Sequence, residues 1–235
     1  MKRIISYILS TCAWLLLIAA VLVTCLQIAV NDRQWFLSEY VKLGTARDVG
    51  MSNADVAAAL GRLVDYMEGR ADSIQIEVTV DGKKKDMYNR REIDHMVDVR
   101  ALYQFWLAVR TIGGLAALAV LFLVFRWMRR DALAVLCGSF VAACGVFLAL
   151  ALIIGLWVTV DFAGFWVQFH HLFFTNDLWL LDPATSRMIQ ICPEELFYDV
   201  VIRVGTWFGG ILVALLAACI LYLAMRRRRH STPYQ

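Results

Sequence analysis

Four long runs of apolar residues, separated by polar stretches of unequal length, set the pattern of the chain. Three carry no charge: residues 4–30, 132–160 and 204–225. A hydrocarbon core of about 30 Å needs about 20 apolar residues in a helix, so each is long enough to cross a bilayer. The remaining run is interrupted. Thr111 to Phe125, between Arg110 and Arg126, reach only roughly 22 Å as a helix. A helix that starts near Ala101 is long enough and leaves Arg110 within it. The pattern therefore predicts an α-helical integral membrane protein. Four transmembrane helices (4–30, 101–125, 132–160 and 204–225) form a bundle with a small α+β extracytoplasmic region.

Two polar pieces lie on one side of these spans. In the first, 31–100, Ser52 or Asn53 caps a helix through Tyr66, with Val56, Leu60, Leu63, Val64 and Met67 on one face. Gly69 stops that helix. Ile74, Ile76, Val78 and Val80 alternate with Gln75, Glu77 and Thr79, a half-buried strand, and Asp81-Gly82 signals a hairpin turn. This piece is too small for a large core of its own and is expected to pack on helix ends or dip into the headgroups. The second, 161–203, opens on aromatics, turns at Asp182-Pro183, and starts a helix at Pro193, whose Glu194 and Glu195 suit a positive helix N-terminus. Residues 126–131 make a short cytoplasmic loop. Residues 226–235 make a cytoplasmic tail, disordered from His230.

Charge adds orientation. Lys2 and Arg3, then Arg126, Arg129 and Arg130, then Arg226 to Arg229 flank the spans on one side, which is the cytoplasm by the positive-inside rule. Both termini are then cytoplasmic. The net charge of +3 is explained by topology, with no need of nucleic acid. Met1 to Cys25 is too long and apolar for a signal-peptide core, and Thr24 suits a cleavage site poorly, so it reads as an uncleaved helix. Of six cysteines, only Cys192 falls outside the spans; without a Cys-x-x-Cys spacing, neither a structural disulfide nor a zinc site is expected. Gly205 and Gly209 form a Gly-x-x-x-Gly, expected to serve close packing within the bundle.

Candidate chemistry sits in the polar pieces. His95, Val99, Leu102 and Trp106 share one helical stripe, with Glu92 and Asp98 three residues either side of the imidazole. Taken alone, this is a histidine satisfied by a carboxylate on a solvated helix. Phe162, Phe165, Trp166, Phe169 and Phe173 recur at helical spacing and suit an interfacial aromatic belt. His170 lies at the edge of their stripe; His171 points away as a solvated bystander. Asn176, Asp177, Trp179 and Asp182 follow closely, either a capped turn or groups that orient an imidazole or hydrogen-bond an ester. Arg110 either snorkels, pairs with a carboxylate, or binds an ester carbonyl. There is no Gly-x-Ser-x-Gly elbow, no His-Glu-x-x-His and no buried carboxylate chain, which argues against serine hydrolases, zinc proteases and pumps.

Arg91-Glu92-x-x-His95-Met96-x-Asp98-Val99, then Phe169-His170-x-x-Phe173-Phe174-x-Asn176-Asp177-x-Trp179-x-x-Asp182-Pro183 and Pro193-Glu194, resembles the bacterial lipoprotein intramolecular transacylase family. Asp32-Arg33-x-Trp35 and Gly50-Met51-Ser52 extend the likeness to most of the chain. Where the family has Leu-Pro-Glu this chain has Cys192-Pro193-Glu194, which leaves Cys192 without a role. The resemblance implies an acyltransferase at the outer face of the bacterial plasma membrane, free of cofactor and metal. Its partners are the bilayer and diacylglyceryl-modified lipoproteins. It would move the sn-2 acyl chain from glycerol oxygen to the α-amino group of the lipid-bearing cysteine. His95 and His170 would be the general acid and base, in either order. Glu92 or Asp98 would orient His95, Asn176 and Asp177 would orient His170 or bind the ester, and Phe173 and the other aromatics would receive acyl chains. The competing readings are a non-enzymatic membrane sensor or lipid-binding chaperone, and a metal site of His95, His170 and Asp177.

Overall fold

The computed structural model describes residues 1–231, with side chains through Arg229; the tail expected beyond lies outside the described residues. In chain order the elements are α1 (Lys2–Val30), α2 (Arg33–Leu43), α3 (Thr45–Asp48), α4 (Asn53–Met67), β1 (Glu77–Val80), β2 (Lys83–Asp86) and α5 (Arg90–Ala108). A π-helical turn (Val109–Gly113) joins α5 to α6 (Gly114–Met128), and a 3-10 turn (Arg129–Asp131) leads into α7 (Ala132–Val160). Then come α8 (Phe162–Phe173), α9 (Arg187–Gln190) and α10 (Glu194–Ser231). The last helix carries the arginine cluster expected in the tail.

Among the described residues three helical stretches are long and apolar enough to cross a membrane: Lys2–Val30, Arg90–Val160 and Glu194–Arg229. The expected second and third spans fall together in the 71-residue middle stretch, because its helix begins at Arg90 and the chain breaks only at Arg129–Asp131. There Arg129 takes φ 50°, a conformation that ends a helix of L-residues.

The chain forms two compact units, and it passes between them within α1, near the α5–π junction, within α8 and within α10. One unit comprises Met1–Cys25, Ala108–Phe165 and the chain from Gly205 on. Its core is made of small contacts: Ala13, Ala117 and Leu121 are buried together, and Trp14 meets Phe140 edge-on with ring centroids 5.0 Å apart. Large apolar side chains such as Leu118, Phe122, Leu152, Ile153 and Val213 face outward, the surface that lipid would cover. Close packing does not run through Gly205 and Gly209, as the sequence led us to expect. A Cβ added at either would meet nothing within 4 Å.

The other unit comprises Leu26–Leu107 and Trp166–Val204. Here the two polar pieces, which the sequence presented as separate, share one core. Phe36, Tyr40, Val56, Leu63, Ile74 and Met87 from the first pack with Ile191 and Leu196 from the second. That pooling bears on the size problem: the shared core draws on apolar residues of both pieces, and burial grows with the size of the unit. Helix α4 has Ser52 as its N-cap, the hydroxyl accepting from the Asp55 amide at 3.0 Å. The hairpin is antiparallel, with Val80 opposite Lys83 across Asp81-Gly82, both at positive φ (49° and 75°) as a tight primed turn requires. Ile74 is buried but precedes the strand, which begins at Glu77. Helix α2 escaped the sequence reading because its apolar side is short; Asp32 caps it by accepting from the Trp35 amide at 3.1 Å.

Candidate active site

Helix α5 opens with a reciprocal cap. The Asn89 side chain accepts from the Glu92 amide at 3.0 Å, and the Glu92 carboxylate accepts from the Asn89 amide at 2.7 Å. The same carboxylate, 1% exposed, accepts from the Ser186 hydroxyl at 2.6 Å and the Met188 amide at 3.0 Å. Glu92 therefore ties the start of α5 to α9. The role the resemblance implied for it, holding the His95 ring, is not what it does.

One face of α5 further along presents Arg91, His95 and Asp98, at the i, i+4, i+7 spacing that stacks side chains on a helix. The Arg91 guanidinium donates to the Asp177 carbonyl. Asp98 accepts from the Asn176 amide at 2.8 Å. The Asn176 side-chain oxygen in turn accepts from the Leu178 backbone at 3.0 Å, a local turn that shapes the loop after α8. These bonds seat residues 176–179 against α5 on either side of His95. The Asp177 side chain itself is exposed; its backbone makes the contact.

His170 comes from α8. Its Nδ1 lies 2.7 Å from the Trp166 carbonyl one turn earlier. A carbonyl only accepts, so this bond assigns the proton to Nδ1 and leaves the lone pair on Nε2. The His95 and His170 rings have centroids 6.2 Å apart, although 75 positions separate them in the chain. Both are buried, at 7% and 6% exposure. Phe174 packs against each, at 5.5 Å and 5.6 Å. Trp179 stacks on His170 at 4.6 Å, and Trp166 approaches the same ring at 4.6 Å. Two buried polar atoms here have no protein partner: His95 Nδ1 and Trp179 Nε1. Buried donors and acceptors are nearly always satisfied, which sets these two atoms apart from the other polar groups around the histidines.

Similarity now decides the family. The model of the family described as "Lipoprotein intramolecular transacylase Lit" matches residues 11–197. The chain belongs to that family. Solved structures of the membrane-integral transacylase from Bacillus cereus share its fold at TM-score 0.70 and 16% identity, covering 96% of this chain and 98% of theirs. Variants of that protein with a histidine replaced by arginine or by alanine have the same TM-score and identity, covering 97% and 96% of this chain and 95% and 96% of theirs. No match is found among curated protein sequences. The chain is thus an acyltransferase of the membrane, a lipoprotein intramolecular transacylase, mostly helical with one small sheet.

Electrostatics in this transacylase disfavour charge on the histidines. Burial pushes the His95 pKa below its ordinary value; the nearby His170 lowers it further, while Asp98 raises it. Burial likewise lowers His170; the Trp166 carbonyl opposes the shift and His171 adds to it. Asp98 thus acts on His95 through its field, while its hydrogen bond goes to Asn176. Phe173 lies half-buried between Phe169 and Trp106, centroids 4.9 Å and 6.5 Å away. His171 is exposed and meets Trp179 edge-on. Arg110 belongs to the other unit, half-buried in the π-helical turn. Among the described residues no group of three or more His, Cys, Asp or Glu is arranged to hold a metal ion.

Sequence reasoning missed four contributors. Phe174, Trp166 and Arg91 were each part of a motif, yet none stood out as a site residue. Phe and Trp at helical spacing look like any interfacial belt, and Arg91 acts on a backbone carbonyl, for which a sequence carries no signal. Ser186, 1% exposed against Glu92, was silent for the same reason.

Proposed function

We propose that this transacylase shifts the sn-2 acyl chain of a diacylglyceryl-cysteine lipoprotein onto the α-amino group of that cysteine, with His170 as general base and His95 as the acid. The observation that carries the reading is the 6.2 Å separation of the two rings, with His170 Nδ1 bonded to Trp166 so that Nε2 remains to accept a proton. One ester group can touch both rings at such a spacing.

The amine attacks as its neutral form. As its nitrogen bonds to the ester carbonyl carbon, His170 takes the amine proton. The carbon–oxygen bond to glycerol then breaks, and the proton ends on that oxygen through His95. Burial disfavours charge on both rings, and His170 disfavours it further on His95; the proton taken from the amine passes to the glycerol oxygen and leaves both rings as they began. A histidine serves both directions near neutral pH. Trp179 Nε1, buried beside His170 without a partner, supplies a donor to the oxyanion of the tetrahedral intermediate. No nucleophilic side chain is required. Donor and acceptor share one molecule, and holding them together is worth up to ~7–11 kcal/mol of the barrier. Phe169, Phe173 and Trp106 offer the acyl chains an aromatic surface.

In this reading the 71-residue helical stretch crosses twice, reversing at Arg129–Asp131, so four helices span the bacterial plasma membrane. The basic clusters place both termini in the cytoplasm and the histidines on the outer face. The test is mass spectrometry of a lipoprotein N-terminus from cells expressing His95→Ala or His170→Ala. Each variant accumulates in the membrane, and neither yields the lyso form. Product that persists with both histidines replaced overturns the assignment.

A further inference from the structure

Positive-inside topology explains how many arginines flank the spans, but not why three of them meet at one place. Arg3 of α1 and Arg226 and Arg227 of α10 line a recess of about 580 Å³, together with Tyr7, Gly138 and Leu223. Arg226 is paired with Asp131. Arg3 and Arg227 have no carboxylate partner among the described residues and are exposed. The floor is set by Gly138: the Tyr7 hydroxyl donates to its carbonyl at 2.7 Å, and a Cβ there would come within 3.2 Å of the Tyr7 ring.

A second groove of about 290 Å³ adjoins the first through shared walls, Arg3 and Tyr7, and is otherwise lined by Ile4 and Ile8. Those isoleucines are 65% and 56% exposed and lie one turn apart on α1, a strip suited to a straight hydrocarbon chain. A charged recess that shares two walls with an apolar groove has the polarity of a lipid: headgroup on one side, acyl chain on the other. Guanidinium forks match phosphate oxygens in pairs, and basic pockets between membrane helices hold anionic headgroups.

We propose that this recess is a binding site for an anionic phospholipid, its phosphodiester held by Arg3 and Arg227 and one acyl chain lying along Ile4 and Ile8. The site is separate from the acyl-transfer chemistry and does not depend on it.

The experiment is native mass spectrometry of the full chain released from detergent. It is titrated with phosphatidylglycerol, with phosphatidylcholine of the same acyl chains, and with inorganic phosphate. Phosphatidylglycerol is expected to bind at least ~tenfold more tightly than phosphatidylcholine, and millimolar phosphate is expected not to displace it. Arg3→Gln/Arg227→Gln removes the preference, while Arg130→Gln/Arg229→Gln, with the same loss of charge outside the recess, retains it. Should the first pair fail to accumulate, Arg3→Lys/Arg227→Lys keeps the topogenic charge and loses the forked geometry, and a weakened preference is expected. An equal affinity for both lipids, a preference untouched by the recess variants, or one lost equally in the control overturns the site. Displacement by inorganic phosphate overturns its assignment to a lipid.

Discussion

Trp179 lies over His170, ring centroids 4.6 Å apart and planes 26° from parallel, while its indole nitrogen is buried with no partner. The ring holds the His170 imidazole in place, and in the proposed reaction the nitrogen meets the substrate. The two roles separate on substitution. Trp179→Phe retains most of the stacking surface and removes the donor. It is expected to lower kcat by about 10²-fold, in line with the loss of one oxyanion donor, and to leave KM and the amount of folded protein near wild type. A rise in KM with kcat unchanged would show that the indole only binds.

Glu92 and His95 are three residues apart on one helix and are expected to fail differently. Glu92→Ala strands the Ser186 hydroxyl and the Asn89 and Met188 amides inside the unit. Leaving a buried donor unsatisfied costs about 1–3 kcal/mol. The variant should accumulate poorly and unfold early in a detergent thermal scan, whereas His95→Ala should accumulate normally and lack activity.

Asp98 and Asn176 join α5 to the loop after α8 by a single hydrogen bond of 2.8 Å. A double-mutant cycle with Asp98→Ala and Asn176→Ala, read in kcat/KM, is expected to give a coupling of about 1 kcal/mol. Additive effects would mean that the bond does not position the loop.

Acid should unfold the histidine unit. His95 and His170 both have folded pKa values below the ordinary 6.5, so below that pH the unfolded chain binds more protons than the folded one. Their contribution to stability is complete above pH 6.5 and is lost as pH falls through the folded values. The midpoint of thermal unfolding should therefore drop as pH falls below about 6.5, and drop less in His95→Gln/His170→Gln.

Gly50 sits at φ +65°, and a Cβ there would come within 2.3 Å of Asp81 Oδ1. Its carbonyl accepts from the Asp81 amide at 2.9 Å, so the hairpin turn cannot simply move away. Gly50→Ala should cost at least about 1–2 kcal/mol, seen as an earlier unfolding of that unit with membrane insertion unchanged.

Much of this protein is written in local pattern. Apolar runs announce membrane helices because lipid demands about 20 uncharged residues. Ser52 and Asp81-Gly82 announce a helix start and a turn because their chemistry acts over a few neighbouring residues. His170 could be preferred to His171 from a helical wheel alone, and the family motif carried the histidine pair. Tertiary structure decided what each partner does. Glu92 could be placed near His95 by spacing, yet it turns to Ser186 and Met188, which lie 94 and 96 residues away. Asp177 contributes its carbonyl, and Asn176 pairs with Asp98. The two polar pieces share one core. Hydrophobic periodicity reports which face of an element is buried, and capping chemistry reports where it begins. Neither reports which distant element arrives to cover that face, and it is this arrival that sets His95 beside His170.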